Sequence, residues 1–173
     1  MLDSTKKTDF ECVASDTFTI AKRILENDKL CKLIYYNHED ALKQPALNQE
    51  QKAQMFKELI TKTPHLPTLE EQRTAIMIMF DHFSMNQTNP HYMDCVLQFD
   101  ILCHKDLWVV NDKTNSMSLR PYLIAHELYS MFHDKKLIGI GNAHFGASEL
   151  LILGSNSEYS GISMSFFCIN PGA

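Results

Sequence analysis

Several features that would place this chain in a common functional class are missing from its sequence. Its 16 lysines and arginines are scattered among 21 acidic residues, giving a formal net charge of −5 and no basic run. Because nucleic-acid-binding proteins concentrate cations against phosphates, tight DNA or RNA binding is disfavoured. No apolar stretch reaches the ~18 residues of a membrane span. The first nine residues also lack the apolar core of a signal peptide. We therefore expect folding in the cytoplasm and no membrane contact.

The cysteines follow no recognisable spacing. The chain has five, an odd number, and none form a CxxC pair. Metal clusters and redox motifs depend on such pairs, whereas a cysteine inside a strand packs as a small hydrophobe. Two of the five, Cys95 and Cys103, sit inside one predicted strand, residues 94–104. We expect reduced, buried or half-buried thiols, as in cytosolic proteins.

Catalytic and cofactor motifs are also absent. A glutamate follows His126, as in a zinc-peptidase helix, but position 130 holds serine where that motif needs its second histidine. His126 and His133 would lie about 10.5 Å apart along a helix, too far to share an ion unaided. Cys103 and His104 point to opposite faces of a strand. No GxSxG or GxxxxGK[ST] motif occurs. We predict no enzymatic activity, no cofactor and no metal; a small hydrolase or metal enzyme using these side chains is one alternative.

The first third of the chain carries helical patterns. Ser15 with Asp16, Asn27 and Asn48 are each followed by apolar residues at helical spacing and offer N-caps. Residues 1–14 are expected to be an arm, and residues 15–63 a helical region that ends before Pro64. One domain is predicted over residues 15–173.

The rest of the chain predicts strands around one helix. Residues 74–80 are a compact apolar run, and residues 94–104 alternate apolar and mixed positions. Two further runs, 137–153 and 158–169, predict a long β-hairpin, with a bulge or kink near Gly141 or Gly146. The predicted class is α+β. A small, mostly antiparallel sheet over residues 74–169 would pack against a long helix in the C-terminal half, beside the helical N-terminal region.

The helix after residue 118 has two distinct faces. Its apolar face, which we expect to cover the sheet, contains Pro121, Ile124, Ala125, Leu128, Met131 and Phe132. The opposite side carries a stripe of four rings, Tyr122, His126, Tyr129 and His133. This stripe is either an ordinary solvent face or a subunit contact, since such rings suit surfaces that are wet before assembly and buried after it.

A family resemblance adds to these patterns. The segments FDILCHKDLWVVND and LRPYLIAHELYSMFHDKKLIGIGNAHFGASELLILGSNSEYSGISMSFF resemble the tail-terminator or ring-type neck proteins of tailed bacteriophages. Upstream, ILENDKLCKLIYYNHEDALKQPALNQEQ and FDHFSMNQTNPHYMD resemble the helical region that precedes this unit in phage structural proteins. The similarity runs from about Ala14 to Ile169. Its motifs are patterns of fold and packing and contain no reactive signature.

The resemblance implies a structural virion protein that assembles in the host cytoplasm. Identical copies would form a ring, six- or twelve-fold, in the phage neck between the portal or adaptor rings and the tail tube or hub. The ring would line the channel used in DNA ejection and touch DNA only transiently. The predicted interface residues are Trp108, Tyr122, His126, Tyr129, His133, Asn156, Tyr159, Ser163 and Ser165. A monomeric binding module or an assembly chaperone of phage morphogenesis is the alternative.

Overall fold

A computed structural model of the chain describes residues 9–63, 72–87, 93–112, 114–137, 141–153 and 157–169. Within these ranges lie four α-helices: α1 (Asp9–Glu26), α2 (Asp28–Tyr35), α3 (Gln49–Glu58) and α4 (Arg120–Phe132). The strands are β1 (Ile60–Thr61), β2 (Thr74–Met85), β3 (Met93–His104), β4 (Val109–Asn111), β5 (Met117–Leu119), β6 (Lys135–Leu137), β7 (Gly141–Ile152) and β8 (Tyr159–Ile169). Short 3₁₀ turns lie at Ala41–Lys43 and Lys105–Leu107. None of the helices in these ranges has the length and apolarity needed to cross a membrane.

Six of the strands form one curled sheet in the order β1-β2-β3-β8-β7-β6. The α+β class is confirmed, but the expectation of a mostly antiparallel sheet is corrected: the sheet is mixed. Its first strand, β1, runs parallel to β2 and pairs Ile60 with Ile76, whereas the other described neighbours pair antiparallel. The parallel pair arises because β1 follows α3 directly and is held by a hydrogen bond from Ile76 N to Leu59 O of 2.9 Å.

The core lies between one face of the sheet and helices α1, α2 and α4. The central strands β3 and β8 turn alternate residues into this core. Phe99 of β3 stacks on Phe132 of α4, with ring centroids 5.2 Å apart, and meets Phe166 of β8 edge to face at 5.9 Å. The apolar face predicted for the helix packs here, with Ile124, Leu128 and Phe132 all 0% exposed. Helix α4 is nevertheless shorter than α1, at 13 residues against 18.

The N-terminal helices differ from prediction at one boundary. Helix α1 begins at Asp9, so the predicted cap at Ser15 and Asp16 is wrong and the predicted arm over residues 1–14 ends inside a helix. Residues 1–8 lie outside the described residues. The other two predicted caps are confirmed. The Asn27 side chain accepts from Leu30 N, and Asn48 forms a capping box with Gln51.

The predicted β-hairpin corresponds to β7 and β8, which pair from Asn142 with Ile169 to Ile152 with Ser160. A bulge interrupts this pairing between Phe145 and Ala147, which confirms the prediction of an irregularity at Gly146. The backbones of β8 and β3 approach closely at Gly161. A Cβ there would lie 1.7 Å from Ile101 O, so no larger residue fits between β8 and β3.

Candidate functional site

An exposed apolar surface forms where β4 and β5 pair as a separate two-stranded sheet. Val109 pairs with Leu119, and Asn111 pairs with Met117. Because cross-strand partners and residues two apart share a face, Val109, Met117 and Leu119 point the same way. They are 39%, 74% and 45% exposed. These three residues are called the hairpin face below. No strand was predicted for this segment from the sequence, since three-residue strands are too short to show a pattern.

Arg120 fixes the hairpin to the helices. It is the first residue of α4, is 0% exposed, and its guanidinium donates to four main-chain carbonyls among the described residues. Nε donates to Leu107 O at 2.7 Å, Nη1 to Leu33 O at 2.6 Å and Tyr36 O at 2.9 Å, and Nη2 to His38 O at 2.6 Å.

The carbonyls of Leu33 and Tyr36 lie at the C-terminal end of α2. The last carbonyls of a helix lack partners within the helix, and the dipole there favours a cation. Burial lowers the pKa of the Arg120 guanidinium, yet an arginine stays charged at neutral pH. Arg120 therefore joins the end of α2 to the start of α4 and holds the adjoining hairpin in place.

The turn between β4 and β5 is ordered by Asp112. Its carboxylate accepts from Thr114 N and Thr114 Oγ1, both at 2.7 Å, and from Ser116 N at 2.8 Å. The hydrogen bond from the Thr114 side chain is the largest of the effects that lower the pKa of Asp112, followed by the hydrogen bond from the Ser116 backbone. Lys43 Nζ donates to Asn115 Oδ1 at 2.6 Å and ties the turn to the 3₁₀ turn after α2. These hydrogen bonds hold the β4–β5 turn, and with it the hairpin face, in a fixed position.

A second exposed surface lies at the edge of the large sheet. Strand β6 pairs only with Gly141, Asn142 and Ala143 of β7. Beyond the bulge, residues 147–152 pair with β8 on one side and with no described strand on the other. Leu150 and Ile152 of this segment are 60% and 73% exposed. Residues 147–152 are called the β7 edge below. Such an edge carries unpaired backbone groups and can accept another chain.

A groove of about 340 Å³ crosses the sheet face opposite the core, lined by residues including Gln98, Ser163, Ser165, Glu149 and Phe167. Its floor is tied together by hydrogen bonds. Ser163 Oγ donates to Asp100 Oδ1 at 2.6 Å, and Gln98 Nε2 donates to the same oxygen at 2.9 Å and to Ser163 Oγ at 3.1 Å. The side-chain donors of Gln98 and Ser163 are therefore engaged within this network.

The described side chains form no cluster of metal ligands, since none of their His, Cys, Asp and Glu groups lie together in threes as a metal site would require. Burial raises the thiol pKa values of Cys31 and Cys103 to about 11, which keeps both protonated at neutral pH. Cys103 faces Thr74, and His104 on the other side of the strand contacts Glu158 at 3.2 Å. These groups do not converge on a shared position.

Comparison with known proteins gives one match. The YomW family model covers residues 27–168, more than half of the 173-residue chain. The chain belongs to the YomW family. This family is phage-derived, of the SPbeta prophage type, and so associates the chain with bacteriophage. No curated protein and no solved structure is significantly similar to it.

The stripe of aromatic and imidazole side chains predicted on α4 of this YomW-family protein is exposed at one end and half-buried at the other. Tyr122 is 51% exposed, and His126 is exposed one turn later. Tyr129 is 39% exposed, but its ring stacks on His133 at 4.6 Å and meets Phe145 edge to face at 5.4 Å. His133 Nδ1 also accepts from Phe145 N at 3.1 Å. Tyr122 and His126 are therefore the members of the stripe best placed to contact a partner.

The remaining predicted interface residues are dispersed. Trp108 is half-buried, and its indole Nε1 is enclosed with no acceptor among the described residues. Tyr159 is 3% exposed and accepts from Arg73 N at 3.2 Å, so its ring is part of the interior and not of an open contact surface. Ser163 and Ser165 line the groove. Asn156 lies outside the described residues.

The sequence analysis missed Arg120 and both apolar surfaces. A single arginine has no periodicity, and its carbonyl acceptors come from two separate segments of the chain, residues 33–38 and Leu107. The hairpin face could have been suspected from Val109, Met117 and Leu119 standing among polar residues. The β7 edge requires the sheet order, which no local pattern encodes.

Proposed function

We propose that this protein is a structural component of a phage particle whose copies join head to tail into a ring in the neck. The ring would connect the portal or adaptor rings to the tail. The observation that carries the proposal is the presence of two exposed apolar surfaces of different kinds, the hairpin face and the β7 edge, on a protein of a phage-derived family. Exposed apolar patches on soluble proteins commonly mark protein–protein contacts.

Two unlike surfaces favour a ring over a symmetric dimer. A two-fold interface uses the same patch on both subunits, whereas a ring needs one patch on each copy to meet a different patch on the next. The hairpin face is an apolar surface on a hairpin held by hydrogen bonds. The β7 edge combines two apolar side chains with backbone that pairs with no described strand on its outer side. Tyr122 lies about one helical turn after the hairpin, and its exposed side chain adds to the exposed surface of the hairpin face.

The overall charge fits a channel through which DNA slides. With a net charge of −5 and scattered cations, the chain offers few contacts to phosphate. Transient and non-specific contact with DNA is the expected consequence, and the ring would act as a passage and a joint.

The head-to-tail arrangement can be tested with one charge on each surface. Met117 of the hairpin face and Ile152 of the β7 edge are 74% and 73% exposed, so Met117→Lys and Ile152→Lys leave the core intact. Native mass spectrometry of the wild type, at high protein concentration or on a particle scaffold, is expected to show closed rings. Each variant alone should remain monomeric. An equimolar mixture should form heterodimers that grow no further, because each pair keeps one intact interface.

Phe18→Lys is the matched control, since Phe18 is an apolar residue on α1 with 51% exposure outside both surfaces. This control should assemble like the wild type. Unimpaired rings of both surface variants would refute the proposal, as would two variants that fail to pair when mixed.

The monomeric binding module or assembly chaperone remains the second candidate, and the groove around Gln98, Ser163 and Glu149 favours it. The two candidates differ in where the protein ends up. A ring component stays with purified particles in fixed copy number, whereas a chaperone is left behind. Quantitative mass spectrometry of gradient-purified particles separates them.

A further inference from the structure

We infer that Cys95 and Cys168 form an oxidation site, at which a hydroperoxide converts two thiols into a disulfide that joins β3 to β8. The inference rests on the position of the two cysteines in the sheet and is independent of ring formation.

The two residues are direct cross-strand partners. Cys95 of β3 pairs with Cys168 of β8 in an antiparallel ladder. Residues opposite each other in such a ladder have Cα atoms about 4.5–5.5 Å apart and side chains on the same face. A disulfide needs a Cα separation of about 4.4–6.8 Å. The bond can therefore form with small side-chain rotations and without a change of register.

The two thiols already interact. The thiol of Cys95 is the largest of the effects that raise the pKa of Cys168, ahead of burial. Neither Cys31 nor Cys103 has such a partner. Cys31 lies on α2, and Cys103 is eight residues along β3 from Cys95 and pairs with Ser160. At 3.3 Å per residue, Cys103 is about 26 Å from Cys95, so it cannot compete for the bond.

The chemistry balances with hydrogen peroxide, the simplest hydroperoxide, as oxidant. The thiolate of Cys95, which is 4% exposed against 0% for Cys168, attacks the outer oxygen and becomes a sulfenic acid, releasing hydroxide. The sulfur of Cys168 then attacks the sulfur of Cys95; its proton passes to the sulfenic oxygen, which leaves as water while the S–S bond forms. The two thiols lose two electrons in total, and the peroxide is reduced to two molecules of water. Cys95 is assigned the first step because it is the less completely buried of the two.

The experiment treats the folded full-length chain with hydrogen peroxide, blocks the remaining thiols, and maps cross-linked peptides by tandem mass spectrometry. Titratable thiols in denaturant should fall from five to three. The cross-linked pair should be Cys95 with Cys168, with fragment ions that separate Cys95 from Cys103. Reducing agent should restore all the thiols. The urea midpoint should rise on oxidation and return on reduction, because a cross-link restricts the unfolded chain.

Matched variants identify the pair. Cys31→Ala and Cys103→Ala should still lose two thiols, whereas Cys95→Ala and Cys168→Ala should form no intramolecular cross-link. If a variant fails to fold, the peptide map of the wild type decides alone. Retention of all the thiols, a different cysteine pair, or conversion of Cys95 to a sulfinic acid with Cys168 still free would each overturn the inference.

Discussion

The close approach of β8 to β3 at Gly161 permits a direct test of the sheet. An added Cβ at Gly161 would lie 1.7 Å from Ile101 O and 2.8 Å from Ile101 C, both backbone atoms of the neighbouring strand. Ordinary contact requires about 3.3 Å or more, so Gly161→Ala must move the two strands apart by about 1.5 Å, roughly a third of their 4.8 Å spacing. Ladder hydrogen bonds on either side would be broken inside the sheet.

Leaving two buried ladder groups unpaired, at about 1–3 kcal/mol each, predicts a loss of about 2–6 kcal/mol from the free energy of unfolding. That is a large part of the 5–15 kcal/mol typical of a domain. Gly146→Ala is the matched control. The atoms nearest to its added Cβ, the closest at 2.7 Å, all belong to the ring of Phe167, which is 51% exposed and can turn away. Its expected cost is below about 1 kcal/mol.

Urea unfolding followed by fluorescence of Trp108, the single tryptophan, measures both variants. Gly161→Ala should unfold at much lower urea than the wild type or fail to accumulate as folded protein, and Gly146→Ala should match the wild type. Equal midpoints for the two variants would show that the described approach of β8 to β3 is wrong.

Three further predictions concern single side chains. Arg120→Met should lower the free energy of unfolding by about 3–5 kcal/mol because four carbonyls lose their donor. Arg120→Lys should have a stability between those of the Met variant and the wild type. A Met variant as stable in urea as the wild type would contradict the role of the guanidinium. Leu128→Ala should cost about 2–5 kcal/mol, while Tyr122→Ala, at a residue that is 51% exposed, should keep the fold and impair assembly; calorimetry showing equal losses would contradict the two-faced helix. Asp112, whose pKa is lowered, should titrate below the ordinary 3.8 by NMR. The stabilisation of the fold by the Asp112 carboxylate is therefore complete above pH 3.8 and is lost as the pH falls through the lowered pKa. Asp112→Asn should abolish this dependence of stability on pH.

Long elements with strict periodicity were predictable from the sequence. Alternation over residues 94–104 and 158–169 identified β3 and β8, and apolar residues at helical spacing identified the buried face of α4. The glycine at 146 predicted the bulge because a missing side chain allows a close approach. Each of these signals is local, and each is tied to burial on one face.

The start of α1 was not predictable from capping preferences. Ser15 and Asp16 are favoured N-caps, yet both lie inside the helix. Thr19 Oγ1 donates to Ser15 O at 3.0 Å, and Asp16 is 2% exposed against the core. Tertiary packing therefore prevailed over local preference, as it commonly does.

The candidate surfaces were only partly predictable. Tyr122 and His126 stand out as rings on the exposed side of a helix, and they are exposed. Tyr159 was misjudged because its position at the end of a hairpin suggests exposure, whereas its partner Arg73 comes from another part of the chain. The parallel pairing of β1 with β2 likewise joins distant segments, and a two-residue strand has no periodicity to reveal it.

The Arg120 contacts have a consequence for how this family can diverge. All four acceptors are main-chain carbonyls, of Leu33, Tyr36, His38 and Leu107, and every residue type supplies a carbonyl. Relatives can therefore have other side chains at those positions without losing the four hydrogen bonds, provided that the path of the backbone is kept. The arginine itself has no equivalent replacement, since only a guanidinium spreads its donors over so many acceptors. This geometry predicts that divergent YomW sequences keep the arginine while the residue types at the four acceptor positions vary.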